Sequence, residues 1–163
     1  MKFRINFLSH IKQLKGSLIF LVVLTIAEVY IFGLGGGERE MLIGIAIFIV
    51  FSLDVIFLHA RYWYLNRKLI LEILDRDTLK ITCGDSVELI NSNDVSVLEL
   101  HLTRPYYYNR VSVAAGEEYN YANLILKSGR EYFITSLLSP KLTTPENFIN
   151  KSKKIKRWLS WPK

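Results

Sequence analysis

The sequence predicts an α+β membrane protein, in which an N-terminal transmembrane α-helical hairpin precedes an antiparallel β-barrel of about seven strands with a C-terminal amphipathic helix as its cap. Three observations support this prediction. Residues 18–34 and 41–59 are almost wholly apolar, with one formally charged residue in each. Short β-rich runs separated by turn residues follow from residue 69, and lysines mix with apolar residues near the C-terminus.

The two apolar runs each approach the roughly 20 residues that a helix needs to cross a hydrocarbon core of about 30 Å. Buried helices of a soluble protein and a cleaved signal peptide are the alternatives. However, the basic start MKFRINFLSHIKQLK is long for a signal peptide, and a second apolar run follows at once. We therefore expect a transmembrane hairpin over residues 17–60, with GLGGG at its turn.

Charged residues beside the two runs predict the topology. The connector GGGEREM carries a net charge of minus one, whereas both outer flanks are basic. Because Lys and Arg collect on the cytoplasmic side of a membrane, both termini are expected in the cytoplasm. The flanking basic residues are Lys2, Arg4, Lys12, Lys15, Arg61, Arg67 and Lys68.

The segments beside the hairpin suit the membrane surface. In the basic arm, residues 1–16, apolar side chains recur at roughly helical spacing and predict an interfacial helix, with a solvated tail as the alternative. Residues 61–68 form a juxtamembrane linker that mixes aromatic rings with cations, a composition typical of the headgroup level. Its candidate anchors are Arg61, Tyr62, Trp63, Tyr64, Arg67 and Lys68.

Two carboxylates, Glu28 and Asp54, lie inside the apolar runs. A charged side chain at the centre of a span costs about 2.5–3.5 kcal/mol, so both are candidates for an intramembrane polar contact. Asp54 lies near the cytoplasmic boundary, where an ion pair with Lys15 or Arg61 would account for it. Glu28 lies deeper, and we expect it to contact a polar group on another span or on a second copy of the chain.

Seven short runs rich in β-forming residues follow the linker, and the breaks between them carry DRD, GD, SND, RP, GEE and SGR. Such breaks are usual turn sequences, so the runs predict strands joined by turns. The leucines of VSVLELHLT alternate with Val97, Glu99 and His101, which indicates one core face and one wet face. The predicted strands cover residues 69–74, 79–83, 86–91, 95–103, 106–114, 119–127 and 130–135.

A helix is predicted to close the chain. Thr144 suits the N-cap, Pro145 the first helical position and Glu146 the positive end of the helix dipole. Its basic outer face is a candidate lipid-binding surface, although Trp158 could instead plug the barrel. The residues of this face are Lys151, Lys153, Lys154, Lys156, Arg157, Trp158 and Trp161.

The order of these elements resembles a bacterial family in which two transmembrane helices precede a pleckstrin-homology-like (PH-like) domain. The resemblance covers most of the chain and rests on the junction RYWYLNRK, on LKITCGDSVELINSNDVSVLEL and on YANLILKSGREYFIT. It implies a cytoplasmic PH-like domain over residues 69–163, held at the bacterial inner membrane and built for binding and assembly. No lipid-pocket residues are carried over from the family.

No pattern of catalytic residues is visible. The chain has no G-x-S-x-G, Walker A or H-E-x-x-H motif, and GLGGGE lacks the Gly-Lys-Ser/Thr ending of a phosphate-binding loop. The single cysteine, Cys83, has no Cys/His set around it. We therefore expect no enzymatic activity, no metal, no cofactor and no small-molecule substrate.

The net charge of +6 favours an acidic partner. Membrane lipid is the simpler candidate for a domain tethered at a bilayer, and nucleic acid is not expected. A run of tyrosines between arginines predicts a protein-binding surface, with an aromatic ladder that only stabilises a hairpin as the alternative. The residues of this surface are Arg104, Tyr106, Tyr107, Tyr108, Arg110, Tyr119 and Tyr121.

Three functions are compatible with these features. The leading hypothesis is a non-enzymatic inner-membrane adaptor whose PH-like domain binds a protein partner or the anionic membrane surface. The second is an immunity or defence protein that neutralises a toxin at the membrane. The third, motivated by the intramembrane carboxylates, is a small transport or channel subunit that acts as a homo-oligomer.

Overall fold

The described residues form two long helices, two short helices and two β-sheets, so the predicted α+β class is confirmed. The computed structural model describes residues 1–33, 37–110, 116–158 and 161–162. The helices are α1 (Phe7–Gly33), α2 (Glu38–Asn66), α3 (Arg104–Tyr107) and α4 (Glu146–Ile149). The strands are β1 (Lys2–Phe3), β2 (Leu69–Ile73), β3 (Thr78–Cys83), β4 (Ser86–Asn91), β5 (Val95–Thr103), β6 (Tyr121–Leu126), β7 (Glu131–Thr135) and β8 (Ser152–Arg157).

The first long helix, α1, is capped and strongly apolar. The Asn6 side chain accepts a hydrogen bond from the Ser9 backbone at 2.9 Å, and the Ser9 hydroxyl accepts one from the Asn6 backbone at 3.4 Å. This reciprocal cap satisfies backbone donors at the helix start. The segment Phe7–Tyr30 has the length and mean hydropathy, 1.5, to cross a membrane, and only 6% of its most apolar window is buried. No second helix among the described residues meets that criterion, so the second predicted span stays a prediction.

The strands form two four-stranded sheets, ordered β1-β2-β3-β4 and β7-β6-β5-β8. Neighbouring strands are antiparallel, except that β8 runs parallel to β5 with Ile155 opposite His101. The described strands do not close into one barrel, so that part of the prediction is wrong. The predicted strands at 86–91 and 95–103 agree with β4 and β5 residue for residue.

The helix pair is inserted between two neighbouring strands. β1 pairs with β2, with Phe3 opposite Leu71, although α1 and α2 separate them along the chain. The predicted boundary at residue 69 therefore leaves out the first strand of the β-domain. The predicted arm, residues 1–16, supplies β1 and the first turns of α1, and the location of these turns at a membrane interface stays a prediction.

The core lies between the facing sheets. Leu71 and Ile81 from the first sheet are fully buried against Leu98 and Leu124 from the second. Phe148 on the one-turn helix α4 also enters this cluster and is 0% exposed. Phe148 is the residue by which α4 joins the core. Burial of such a large apolar side chain stabilises the fold by about 1.5–3 kcal/mol.

Two of the predicted elements are wrong. The chain after α4 forms strand β8 rather than an amphipathic helix, because it finds the free edge of β5 as a hydrogen-bonding partner. The predicted strand at 106–114 begins instead with helix α3, which has Pro105 in its first turn. Proline supplies a backbone angle suited to a helix start and no N–H for a strand ladder. Residues 111–114 of that prediction lie outside the described residues.

The face of the second sheet that was predicted to be wet is covered by the helix pair. Successive residues of a strand point to opposite faces, so Tyr121 lies opposite the core face that holds Ala122. Tyr121 packs in a second apolar cluster with Val55, Leu58 and Tyr62 of α2. Val55 and Leu58, which were assigned to the second span, are therefore buried against the β-domain, at 7% and 1% exposed.

Candidate functional site: the helix junction and the basic rim

A chain of three side chains joins both long helices to the second sheet. The His10 Nδ1 and His59 Nε2 atoms lie 2.8 Å apart, and His59 Nδ1 lies 2.8 Å from the Tyr119 hydroxyl. Tyr62 is 0% exposed and packs edge-on against Tyr119, with ring centroids 5.2 Å apart. We call this region the helix junction, and it holds the ends of α1 and α2 against the segment that leads into β6.

Amide side chains strengthen the helix junction. Gln13 Nε2 donates to the Glu118 carbonyl at 2.6 Å, and Asn66 Nδ2 donates to the Phe133 carbonyl at 2.7 Å. The Asn66 Oδ1 accepts from both the backbone N–H and the hydroxyl of Thr135, at 2.8 and 2.6 Å. Asn66 is 1% exposed, and leaving such buried groups unpaired would cost about 1–3 kcal/mol each. The helices are therefore fixed to the sheet by directional contacts.

Burial governs the titration of two groups beside the helix junction. Burial raises the pKa of Glu118, and the nearby Lys15 only partly opposes this shift. One carboxylate oxygen of Glu118 is buried and has no hydrogen-bond partner among the described residues. Burial also raises the pKa of the Tyr119 hydroxyl, as does the neighbouring Glu118 charge. Tyr119 therefore stays neutral at physiological pH.

The end of β5 is hydrogen-bonded to the segment that leads into β6. Thr103 donates its backbone N–H to the Asn120 side chain at 2.7 Å, and its hydroxyl donates to the Glu117 carbonyl at 2.5 Å. In the parallel register of β5 and β8, Thr103 lies opposite Arg157. The last residues of β8 and helix α3, which follows Thr103 directly, therefore lie at the helix-junction end of the sheet.

Exposed cations surround an aromatic ring at this end. Lys156 Nζ lies 3.4 Å from the Tyr108 hydroxyl and 5.6 Å from the ring centroid, and the Arg110 guanidinium lies 5.8 Å from the same centroid. Trp158, directly after β8, is 83% exposed. We call this surface the basic rim, and its members are Arg104, Tyr108, Arg110, Lys156, Arg157 and Trp158.

The cations of the basic rim form no direct ion pair with a described residue. Arg157 instead donates its Nε–H to His101 Nδ1 at 3.3 Å, while His101 Nε2 lies 3.3 Å from a Glu99 carboxylate oxygen. The His101 ring stacks on Tyr121, with ring centroids 4.3 Å apart. This stacking holds His101 in place as the hydrogen-bond partner of Arg157.

The structure divides the predicted tyrosine surface. Tyr106 and Tyr108 are 37% and 48% exposed on or next to α3, so they remain available to a partner. Tyr119 and Tyr121 are 0% and 3% exposed, so their assignment to an interaction surface is wrong. Both are covered by the helices, which a strand pattern could not reveal. Tyr107, in α3, stacks edge-on with Tyr108 at 5.2 Å.

The predicted lipid-facing residues near the C-terminus also separate into two groups. Lys153, Lys154, Lys156 and Arg157 are exposed on β8, and Trp161 is 43% exposed. Lys151 instead donates to the Ser92 and Val95 carbonyls at 2.7 and 3.0 Å. Lys151 therefore has a structural role beside β5 rather than a free charge.

Most of the predicted membrane-surface anchors are exposed at the end of α2, and Arg67 lies 5.2 and 5.0 Å from the Trp63 and Tyr64 ring centroids. Lys68 is exposed and Arg61 is half-buried. Tyr62 is the exception: it is buried in the helix junction, so its assignment as a lipid anchor is wrong.

The two intramembrane carboxylates lie in different settings. Asp54 is exposed and directly precedes the buried Val55, which fits a boundary position. Glu28 Oε1 is buried, has no hydrogen-bond partner among the described residues, and would lie 2.6 Å from a Cβ placed on Gly44. Glu28 therefore packs against Gly44 of α2, and its expected contact with a polar group on another span or with a second copy stays a prediction.

Sequence reasoning missed the helix junction. It assigned His10 to a basic arm and His59 to a membrane boundary, and it assigned no role to Gln13 or Asn66. Their partners lie 49–105 residues away along the chain, so no local spacing reports these contacts. One signal in the sequence was that polar side chains able to donate and accept hydrogen bonds occur at the start of α1 and at the end of α2, although both helices are otherwise apolar.

Two facing sheets with a small helix over their core, and a charged surface at one end, define a small β-domain. The sequence matches the PH domain family over residues 2–148, and the chain belongs to this family. The match begins at β1 and includes both long helices, in agreement with their insertion between β1 and β2. No curated protein and no solved structure matches the chain. The PH-like part of the resemblance is thus confirmed, and it suggests a protein- or lipid-binding module.

Proposed function

We propose that this chain is a non-enzymatic adaptor of the bacterial inner membrane, anchored by α1 and α2 with both termini in the cytoplasm. Its PH domain would hold a binding surface beside the bilayer for a protein partner or for the membrane itself. One observation carries the proposal: an exposed apolar helix, α1, is inserted between β1 and β2, and its N-terminal part is hydrogen-bonded to the segment that leads into β6. A domain mounted in this way has a fixed orientation toward its membrane.

The helix lengths support this proposal. If the residues packed on the β-domain lie outside the membrane, residues 16–33 of α1 and 38–54 of α2 remain to cross it. At 1.5 Å per residue each stretch spans about 26 Å. A bilayer core is about 30 Å thick, and spans of about 17 residues occur. The cationic ends then lie on the side of the β-domain, as the positive-inside rule requires.

Fractionation of the full chain, tagged at its C-terminus, tests the proposal. We expect the protein to stay in the membrane pellet after alkaline carbonate treatment, and the tag to be protected from protease in intact spheroplasts. Affinity purification from the same membranes then reports protein partners and self-association. Release by carbonate, or digestion of the tag in intact spheroplasts, would contradict the proposal.

A further inference from the structure

The two histidines of the helix junction form a direct contact between α1 and α2. His10 Nδ1 and His59 Nε2 lie 2.8 Å apart, and the ring centroids are 5.0 Å apart. On its other side, His59 Nδ1 lies 2.8 Å from the hydroxyl of Tyr119, which belongs to the segment that leads into β6. His10 therefore reaches the PH domain through His59, and one row of hydrogen bonds joins three parts of the chain.

The number of protons that this row can hold is limited. A neutral imidazole has one nitrogen that donates a hydrogen bond and one that accepts. With both rings neutral, or with one of them charged, one of the facing nitrogens can donate to the other. When both rings are charged, an N–H group points at the partner from each facing nitrogen, and the 2.8 Å contact is no longer possible. The His10–His59 pair therefore accommodates one extra proton but not two.

Nearby side chains do not compensate a second charge on the pair. Neither imidazole has a carboxylate within ion-pair distance among the described residues. Burial raises the pKa of Glu118, so this carboxyl group also becomes neutral on acidification. The titratable groups on the elements around the pair are Lys15 of α1, Arg61 and Tyr62 of α2, Tyr106 of α3, and Glu117, Glu118 and Tyr119 before β6.

Acidification acts on the histidine contact and leaves the amide contacts in place. Burial lowers the pKa of His59, and so does the charge of a protonated His10. Neutral His59 therefore favours the closed helix junction, and this contribution is lost as the pH falls through the lowered pKa. Gln13 and Asn66 do not titrate, and they remain bonded to the Glu118 carbonyl and to Thr135.

We propose that the helix junction is an acid-sensitive clamp, in which uptake of a second proton by the His10–His59 pair separates the start of α1 from α2. In its closed state, the clamp fixes both long helices against the PH domain. In its open state, Asn66 still holds α2, while the first turn of α1 pivots about Gln13, three residues beyond His10. This inference goes beyond the proposed adaptor role, because it adds regulation by pH and does not depend on a bilayer around the helices.

Distance measurements between two spin labels on the full chain in detergent test this inference. C83S removes the single cysteine, and L8C/A60C place the labels on exposed positions of α1 and α2. We expect the mean label distance to increase by about 3 Å between pH 7.5 and pH 5, since a water molecule of about that diameter enters between the imidazoles. The midpoint should lie below pH 6.5, the ordinary pKa of histidine. The far-UV circular dichroism should stay unchanged.

Variants that cannot take up a proton locate the effect. In H10N, the asparagine side chain keeps a polar group near the Nδ1 position but does not titrate, so the pair never holds two protons. We expect H10N to keep the label distance of the closed clamp at pH 5. H101N is the matched control, because His101 lies on β5 outside the helix junction. E118Q is the second control, because it removes the buried carboxyl group. Both controls should open as the wild type does.

Carbon-13 NMR of the histidine Cε1 atoms in the otherwise wild-type chain keeps the test independent of these variants. We expect the two junction histidines to titrate in two separate steps, with the label distance following the second step. An unchanged label distance at pH 5, opening at the first step, equal opening in H10N, or an E118Q variant that stays closed would overturn the inference. Loss of circular dichroism together with opening would also overturn it, because it would show global acid unfolding.

Discussion

Individual polar side chains at the helix junction are under strict hydrogen-bonding constraints. The contact between His10 and His59 needs one proton on one of the two facing nitrogens, and the contact between His59 and Tyr119 needs another. Glu118 differs from these groups, since one of its oxygens is buried with no hydrogen-bond partner among the described residues. At the residue scale, the helix junction thus contains side chains whose hydrogen bonds are made and one carboxyl group, Glu118, whose charged form is disfavoured by burial.

We predict that Glu118→Gln stabilises the protein at neutral pH. Because burial raises the Glu118 pKa in the folded state, its protonated form favours folding at acidic pH. That contribution is lost as pH rises through the raised pKa. In detergent, the variant should melt above the wild type at pH 7 by at most about 2–4 °C, since Glu118 is only half-buried. The difference should shrink toward pH 4.

The exposed turn variant Asp85→Asn is the control for that measurement. It removes a carboxylate outside the helix junction and should leave the pH dependence of the melting temperature unchanged. A Glu118→Gln effect of the same size at pH 4 and pH 7 would show that the substitution acts through packing rather than through charge.

The pairing of α1 with α2 depends on a small residue opposite a carboxylate. Gly44 allows Glu28 to approach α2, and a Cβ at position 44 would lie 2.6 Å from Glu28 Oε1 and 3.4 Å from its Cδ. Because the first of these atoms ends a flexible side chain, alanine at this position requires only a small shift. A larger side chain would also clash with the rest of the Glu28 side chain, so a small shift would not relieve the contact. At the element scale, this contact limits how closely the two helices approach.

We predict that Gly44→Leu weakens the helix pair by about 1–3 kcal/mol, the usual cost of overpacking. The measurement is the thermal or denaturant stability of the full chain in detergent. Glu28→Ala in the same chain should recover at least half of the loss by vacating the contact. Gly33→Leu is the matched control, because a Cβ at Gly33 meets nothing within 4 Å. Equal losses at the two glycines would exclude the Glu28 contact as the cause.

The whole molecule consists of a PH domain that depends on its inserted helices. The second sheet packs one face against the core, and on its other face residues of β6 and β7 pack against α2. Tyr121 and Leu137 are 3% and 0% exposed and pack in the cluster that holds Val55, Leu58 and Tyr62 of α2. The first sheet likewise draws β1 from the segment before α1. The helices are therefore part of the domain's structure as well as its candidate anchor.

We predict that the isolated fragment 69–163 does not reach the native packing of the full chain. The fragment lacks β1, and without α1 and α2 it exposes the apolar cluster around Tyr121 and Leu137. An exposed apolar patch of this kind binds hydrophobic dyes. Strong ANS fluorescence and rapid proteolysis of the fragment are the expected results. Leu137→Ser should reduce ANS binding to the fragment but destabilise the full chain. A fragment that unfolds cooperatively and binds no ANS would contradict this prediction.

Local patterns in the sequence predicted most of the β-strands. The strand at 86–91 and the strand at 95–103 were predicted with correct ends, because turn residues bound them and their side chains alternate. The turn at Ser128–Gly129 was also predicted, and Gly129 has the positive φ of 85° that glycine adopts without strain. Long apolar runs likewise predicted α1 and α2, since helix length and hydropathy are local properties.

The sequence alone predicted that this chain joins apolar helices to a basic, turn-rich β-domain, and the order of these elements gave the resemblance to PH-like domains. Only the tertiary structure decided what covers each face and edge. A two-residue strand such as β1 has no periodicity of its own, and SKKIKR has one apolar residue, so its pairing with β5 depends on a free edge elsewhere in the chain. The burial of Tyr119, the junction of His10 with His59 and the placement of Arg157 beside them all join distant residues. Periodicity reports which residues share a face, but the partner that buries that face is set by packing across the whole chain.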